Sequence, residues 1–430
     1  MAVFVAGVAV TGAFAQNVCD DLDTPTAKYE TFTANYQKKT EAEVTAAIAA
    51  GKEFLEKWGA CDGWKEQVAF VKPWIPRLEK ILEGIKDGPM FEAFDKAVIA
   101  DNIDGIYTNG KQIIAKYPQN HDVKYVMAVA ALADVSKAVQ AKTQSKYAGE
   151  AAGYAKTLYD GIKSGSIASV RKLKDGTPSY GVLKHETNKE EALSRLAYTN
   201  GFINYYALNN KKGAVATYYE VSQLGGYFKT YPPVFATISD YYLAEADNIG
   251  KEIVALTTQY NGMVEQVKQI KPTDADAEQK AKDLDAQIKA KDVEIKAKEA
   301  LYKGYLERAM DALARAHKVA KETTPAEKDY KANLYKGLQD LYKRRFEKEV
   351  GLSEWVAAAT AKPLPDPTSA VQPVSDEPAT TTTTGTGTGV GAANGTVIGA
   401  ANGTGVGAAN GSGVAPKAGT TAAKAKPRRR

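Results

Sequence analysis

The stretch Gly51-Lys-Glu-Phe-Leu-Glu-Lys-Trp-Gly-Ala-Cys-Asp62 is echoed later in the chain by Gly110-Lys-Gln-Ile-Ile-Ala-Lys-Tyr-Pro-Gln-Asn-His-Asp122. Glycine, lysine, apolar and aromatic residues recur at matching offsets, so the two stretches share sizes and polarities more than identities. Self-similarity of this kind is typical of diverged repeat architectures. We therefore expect a repeat fold in which a helix end and its exit turn are used twice.

The rest of the sequence has helical patterning. Apolar residues recur at spacings of three and four, and helix-favouring residues dominate, whereas alternating strand patterns are scarce. Residues 27–60 are expected to form a helix pair whose second helix begins with a capping box at Thr40 and Glu43. The sequence predicts an all-α chain built from antiparallel helix-hairpin repeats.

Residues 190–232 carry the sharpest repeat pattern. Small residues stand where two antiparallel helices must approach, aromatic residues where they lock together, and a proline follows, at Ala197, Gly201, Tyr205, Ala214, Tyr218 and Pro232. This pattern resembles the tetratricopeptide-repeat family (TPR-like). It departs from that family because the opening Trp is absent, Asn200 replaces a Leu, and one residue is inserted around 209–212. The resemblance implies an α-solenoid with a groove that takes a protein or peptide.

Composition divides the chain into segments. Residues 16–164 are predicted to form N-terminal helical repeats, and residues 190–357 a second, TPR-like set. The intervening residues 165–189 are rich in glycine and are predicted to be a loop or an internal boundary.

Residues 243–306 are predicted to form two long helices that fold back on each other at 271–274 and protrude from the second set. The alternative is an ordinary repeat with extended, exposed helices. Leu284, Ile288 and Ile295 fit a heptad seam, but Lys291 and Lys298 occupy seam positions that should be apolar. The pattern therefore favours a helical hairpin over a dimerising coiled coil.

Residues 358–430 are rich in proline, threonine, glycine and asparagine, and an octad beginning Gly-Ala-Ala-Asn-Gly is repeated there. Such a segment cannot bury enough apolar surface to offset its ordering entropy, so we predict a disordered tail. The octads place the N-glycosylation acceptor pattern at Asn394, Asn402 and Asn410.

The charge of the chain is concentrated in this tail. From Pro378 onward there are six basic residues and no acidic one, and subtracting these six charges from the net +5 leaves about −1 for the rest. The body therefore has no evident basic face for a nucleic acid. The tail is the candidate for contact with an envelope glycan or another anionic surface.

Residues 1–15 are apolar, too short to span a bilayer, and end in Ala13-Phe-Ala15. This ending predicts a signal peptide cleaved before Gln16 and hence export to the periplasm, the cell surface or the exterior. No Lys or Arg precedes the apolar run, so either the true start lies upstream of Met1 or the segment is a buried helix. No other apolar run is long enough to cross a membrane.

Cys19 and Cys61 are the only two cysteines. An even number of cysteines in an exported protein predicts a disulfide, and the alternative is two unpaired thiols.

No catalytic, cofactor-binding or metal-binding motif interrupts the helical pattern. The three histidines are scattered, and His185-Glu186 is not followed by the second His of a zinc-protease helix. We therefore predict a protein that is not an enzyme and uses no cofactor.

The 24 tyrosines are the compositional excess, and they concentrate between residues 205 and 242. Either they pack between helices, or the outward members bind a peptide or glycan; the outward candidates are Tyr206, Tyr219, Tyr227, Tyr231 and Tyr242. Two functions follow: an exported scaffold for protein–protein interaction, or a structural surface component that associates with itself.

Overall fold

The computed structural model describes residues 18–376 apart from residues 272 and 274. The predicted all-α class is confirmed, because helices account for most of these residues and the strands are one short pair. The described chain divides into two compact units, residues 18–118 and residues 119–376. The division between these units lies after Pro118, and residues 165–189, predicted to be a loop or an internal boundary, lie within the second unit.

The first unit contains five helices over its described residues, with a short 3-10 turn at Asp62–Trp64 between the second and third. They are α1 (Asp23–Asn35), α2 (Glu41–Trp58), α3 (Lys65–Val71), α4 (Trp74–Ile99) and α5 (Ile103–Lys116).

Helix α2 begins at the predicted capping box, in which Thr40 and Glu43 bond to each other's backbone N–H groups. Its buried face packs against α1 and α4. A Cβ atom on Gly51 would lie 2.6 Å from Ile75 Cδ1 and 2.9 Å from a Phe32 ring carbon, so only glycine allows this approach. The glycine of the sequence repeat is thus a packing residue of this core.

Helix α4 runs without interruption through Gly88 and Pro89, although this residue pair is typical of a helix end. A proline inside a helix removes one backbone hydrogen bond and crowds the preceding turn. Buried Leu78 anchors α4 before this point and buried Phe94 and Val98 anchor it after. Tertiary packing on both sides outweighs the local penalty.

The second unit begins with α6 (His121–Ala141) and α7 (Ala148–Ser164), followed by the paired strands β1 (Arg171–Lys172) and β2 (Pro178–Ser179). It continues with α8 (Lys189–Tyr206), α9 (Lys211–Gln223), α10 (Pro232–Gln269), α11 (Ala277–Val319), α12 (Pro325–Phe346) and α13 (Leu352–Thr360). Short 3-10 turns lie at Leu183–His185 and Tyr227–Thr230.

The strands lie in the segment predicted as a loop and pair antiparallel, with Arg171 opposite Ser179. Arg171 Nη1 donates to Asp122 Oδ2 at 3.1 Å and to the Gly181 carbonyl at 2.6 Å. The backbone N–H of Gly181 donates to Asp122 Oδ1 at 2.8 Å. These bonds fasten the segment to the first turn of α6.

The long helical hairpin is present and is longer than predicted, because α10 and α11 extend over 232–269 and 277–319. None of the described residues between Val254 and Leu301 is buried, so the distal part stands away from the core. Lys298 Nζ lies 2.5 Å from Glu252 Oε2 on the facing helix, which explains a lysine at a seam position. Helix α11 follows Asp276 in a left-handed conformation with no side-chain cap.

Residues 361–376, here named the C-terminal strap, pack against α11 and α12. Arg315 Nη2 donates to the Lys362 carbonyl at 2.6 Å, and the Val374 N–H donates to the Ala300 carbonyl at 2.8 Å. Arg345 is 4% exposed and binds both carboxylate oxygens of Asp376. The tail predicted from residue 358 therefore begins too early, since 358–360 complete α13 and 361–376 form the strap.

Candidate functional site

The tyrosine surface is the part of the second unit where polar aromatic side chains gather. We define it by Tyr206 at the end of α8, Tyr227 in the 3-10 turn, Tyr231 between that turn and α10, Asp240 of α10, and Tyr330 of α12. Tyr227 is 44% exposed, and the other four are half-buried. Each thus keeps part of its side chain in solvent.

The packing of α8 on α9 sets the position of Tyr206. A Cβ atom on Gly201 would lie 3.6 Å from the Tyr218 ring, and the rings of Tyr205 and Tyr218 are 6.5 Å apart. Ala197 and Ala214 are also buried, and Pro232 occupies the first turn of α10. The structure therefore brings the predicted repeat-packing residues together around these two helices.

Tyr231 and Tyr227 are held by an aromatic cluster beneath them. The buried ring of Tyr198 stacks on Phe228 with centroids 4.1 Å apart and meets Tyr231 edge-on at 5.5 Å. Tyr227 lies 5.5 Å from Tyr231. Such ring pairs contribute beyond area burial, by about 0.5–1.5 kcal/mol each.

Gly225 and Gly226 let the turn that carries Tyr227 approach the start of α8. Gly226 has φ +84°, and a Cβ atom there would meet Glu191 Oε2 at 2.7 Å. Glu191 accepts from the Tyr227 N–H at 2.9 Å and from Arg195 Nε at 2.8 Å. The exposed tyrosine is therefore fixed by its backbone while its ring faces solvent.

Tyr206 is fixed by a hydroxyl pair, because its oxygen lies 3.1 Å from Thr237 Oγ1 on α10. Thr237 in turn donates to the Pro233 carbonyl at 2.8 Å. Burial raises the pKa of Tyr206 to about 12, so its hydroxyl remains protonated at neutral pH.

Asp240 lies one helical turn after Thr237, and burial raises the pKa of its carboxyl to about 7, opposed only by the charge of Lys211. Among the described residues it has neither a hydrogen bond nor an ion pair. The other two raised carboxyls are compensated: Asp122 by Arg171 and Asp311 by Arg315 at 3.0 Å. Asp240 is thus a half-buried carboxyl left for something else to pair with.

Tyr330 brings α12 to the same surface. Its hydroxyl interacts electrostatically with Tyr206, Tyr231 and Asp240, and burial raises its pKa. Its neighbour Glu327 interacts with Tyr227 while capping α12 through Thr324. The sequence analysis does not single out Asp240 and Tyr330, and no local signal marks either residue, because the helices that bring them together are far apart along the chain.

Two of the predicted partner-binding tyrosines belong elsewhere. Tyr242 is 2% exposed and packs between α10 and α11, with its ring 6.2 Å from that of Tyr305, so its prediction as an outward residue is wrong. Tyr242 lies on the side of α10 that other helices cover. Tyr219 is half-buried against the core on α9.

The structure joins Cys19 and Cys61 in a disulfide. Trp58 Nε1 also donates to the Val18 carbonyl at 3.0 Å, so the start of the described chain is held to the end of α2 by two links. The candidate glycosylation sites Asn394, Asn402 and Asn410, the basic tail and residues 1–15 lie outside the described residues.

The histidines lie apart from the tyrosine surface. His121 borders a cleft of about 280 Å³ with Lys124, Glu150 and Tyr154, and His317 borders one of about 390 Å³ with Lys331 and Tyr335. Burial lowers the pKa of both histidines, so both are neutral at pH 7. In the first of these clefts the Tyr154 hydroxyl donates to Glu150 Oε1 at 2.9 Å.

Within residues 18–376, apart from 272 and 274, no three His, Cys, Asp or Glu residues gather in a way that could hold a metal ion. Over the same residues, no helix combines the length and the apolar character needed to cross a membrane. Comparison with protein-family models, with curated proteins and with solved structures found no match to this chain.

Proposed function

We propose that this chain is an exported helical-repeat scaffold that binds a protein or peptide on the tyrosine surface, in the periplasm or at the cell surface. The observation that carries the proposal is the convergence of polar aromatic residues from α8, from the turn that precedes α10 and from α12 with an unpaired carboxyl of α10. Tyrosine offers large contact area and a hydrogen-bonding tip at low conformational cost, which is why it is enriched in protein interfaces.

The finer architecture is part of the same proposal. The contact between Gly201 and Tyr218, at ordinary van der Waals distance where α8 packs against α9, supports a TPR-like repeat. On this view α8 and α9 form one repeat, Pro232 starts the next repeat, and the repeats continue as an α-solenoid. A solenoid stabilises each unit through its neighbours and presents a binding surface made of several helices.

Export is supported by the apolar segment 1–15 and by the disulfide between Cys19 and Cys61. Disulfides persist in oxidising compartments and are rare where thiols are kept reduced. The six basic residues of the tail add an attraction to anionic envelope surfaces that weakens as salt increases.

The second candidate function is a structural surface component that associates with itself and is displayed through its tail. The observation that favours it is the distal hairpin, where Val254 is 53% exposed and Val293 is 67% exposed. Apolar side chains on a protruding hairpin are suited to contact with a second copy.

Site-specific photocrosslinking in the cells that produce the protein distinguishes the two functions. A photoreactive aromatic residue replaces Tyr227 in one full-length variant and Val293 in another. The scaffold proposal predicts a heterologous adduct from position 227 and a monomer in light scattering. Adducts between two copies from position 293, together with large assemblies, would instead establish the structural function.

A further inference from the structure

We propose that the tyrosine surface is a recognition site for a lysine or arginine side chain of a partner polypeptide, which pairs with Asp240 beside Tyr206 and Tyr330. This inference rests on the proposed function and adds the chemistry of the ligand. It centres on Asp240, which the sequence pattern does not single out.

Asp240 is half-buried and has neither a hydrogen bond nor an ion pair within the described part of the second unit. A half-buried carboxylate without a partner costs stability, and proteins normally compensate it as Arg171 compensates Asp122. The cation that acts on it electrostatically is Lys211, which is exposed at the start of α9, lies over the Tyr205 ring at 5.7 Å from its centroid and makes no ion pair with Asp240. A ligand cation would supply the missing partner.

Tyrosine side chains lie close to this carboxyl. The Tyr206 hydroxyl oxygen lies 3.1 Å from Thr237 Oγ1, one helical turn before Asp240, and both Tyr206 and Tyr330 interact with the carboxyl electrostatically. Tyrosine ring faces attract ammonium and guanidinium groups, and the attraction grows when the site is partly desolvated. A carboxylate close to such rings therefore binds a positively charged side chain in preference to any other class of side chain.

The charge along the same surface favours the same ligand. Glu191 and Glu327 both interact electrostatically with Tyr227 at its other end, and Glu191 is already paired with Arg195 at 2.8 Å. An acidic partner segment would be repelled by Asp240 and Glu327, and an apolar one would bury Asp240 without a counter-charge. A basic segment is complementary to these two carboxyl groups.

Binding should depend on pH, because a cation pairs with the ionised form of Asp240. The groups that face Asp240 are Lys211 from α9, Tyr205 and Tyr206 from α8, and Tyr330 from α12. The pKa values of these tyrosines are raised, so none of them ionises between pH 6 and 8. The affinity for a basic peptide should fall as pH drops below about 7.

The test is a selection of random phage-displayed peptides on the immobilised full-length chain at pH 8, followed by affinity measurements with synthetic copies. We expect the enriched peptides to share a lysine or arginine at one aligned position. The Asp240→Asn variant should lose affinity for them by at least about tenfold. The matched control is Asp329→Asn, an exposed carboxylate on α12 that should bind them unchanged.

The other outcomes separate the two proposals. Suppose that the binding of the selected peptides requires Tyr227 and Tyr231. If these peptides share no basic residue, or bind the Asp240→Asn variant equally well, the inference is overturned and the proposed function stands. Peptides that no tyrosine substitution weakens would overturn both. If the peptides bound only to a truncated chain ending at Asp376 and not to the full-length chain, the occupant would be this chain's own Lys424–Arg430 segment instead of a separate partner.

Discussion

The hydroxyl oxygen of Tyr206 lies 3.1 Å from Oγ1 of Thr237, which joins the end of α8 to α10 one helical turn before Asp240. Tyr206 and Asp240 also interact electrostatically, and Asp240 has no ion pair among the described residues. The half-buried, uncompensated Asp240 weakens the fold, so its presence is explained better by binding than by folding.

Asp240→Asn should stabilise the protein above pH 7. The unfolded carboxyl titrates near 4 and the folded one near 7, so the cost of its charge develops as pH rises through this range. We expect the free energy of unfolding to increase by on the order of 1–3 kcal/mol at pH 8 and by less at pH 5. Denaturant unfolding at the two pH values measures this, and equal effects would show that Asp240 titrates normally.

Gly304→Ala tests whether the C-terminal strap packs on α11. A Cβ atom there would meet the Gln372 carbonyl oxygen at 2.2 Å, so alanine must displace the strap. We expect a lower melting temperature, although alanine favours a helix by about 1 kcal/mol over glycine. The matched control is Gly250→Ala on α10, where the nearest atom lies at 3.6 Å, and it should be neutral or stabilising. Stabilisation by both substitutions would mean that the strap does not pack there.

Replacing both Cys19 and Cys61 by alanine should weaken the first unit and leave the second unchanged. The disulfide spans 42 residues, and closing such a loop contributes about 4 kcal/mol on the chain-entropy model. Hydrogen exchange followed by mass spectrometry should show faster exchange in α1 and α2 but not in α8 or α10. Faster exchange throughout the chain would contradict a local effect.

Substitution by alanine should have opposite effects on stability at Gly51 and Gly201, two glycines of the predicted repeat patterns. Gly51→Ala drives a methyl group into Ile75 and Phe32, and overpacking of this kind costs about 1–3 kcal/mol. Gly201→Ala meets only ordinary contacts at 3.6 Å and should be neutral or slightly stabilising. Thermal unfolding compares the two, and a large loss for Gly201→Ala would mean that α8 and α9 lie closer than described.

The sequence was sufficient for what depends on local pattern. Helix class, the capping box at Thr40 and the long hairpin follow from periodicity and end signals within a few residues. The importance of Asp240 could not be predicted, because it arises when α8, α10 and α12 meet, and no local pattern encodes that meeting.

For the C-terminal strap, the composition of the sequence suggests the wrong structure. A segment rich in proline and threonine suggests disorder, yet residues 361–376 are held by arginines of α11 and α12. Arg308 and Arg315 stand two helical turns apart on one face and bind the strap's carbonyl groups. Their spacing was visible in the sequence, but their partners were far along the chain.

A double-mutant cycle between Asp240 and the basic residue of a selected peptide tests the central claim most directly. Affinities at pH 8 are measured for the unsubstituted chain and for the Asp240→Asn variant, each with the lysine peptide and with its norleucine analogue, which keeps the stem and removes the charge. The account predicts a coupling of at least about 1.5 kcal/mol, as for close charge pairs across an interface. Additive effects of the two changes would show that the lysine does not contact Asp240 and would contradict the account.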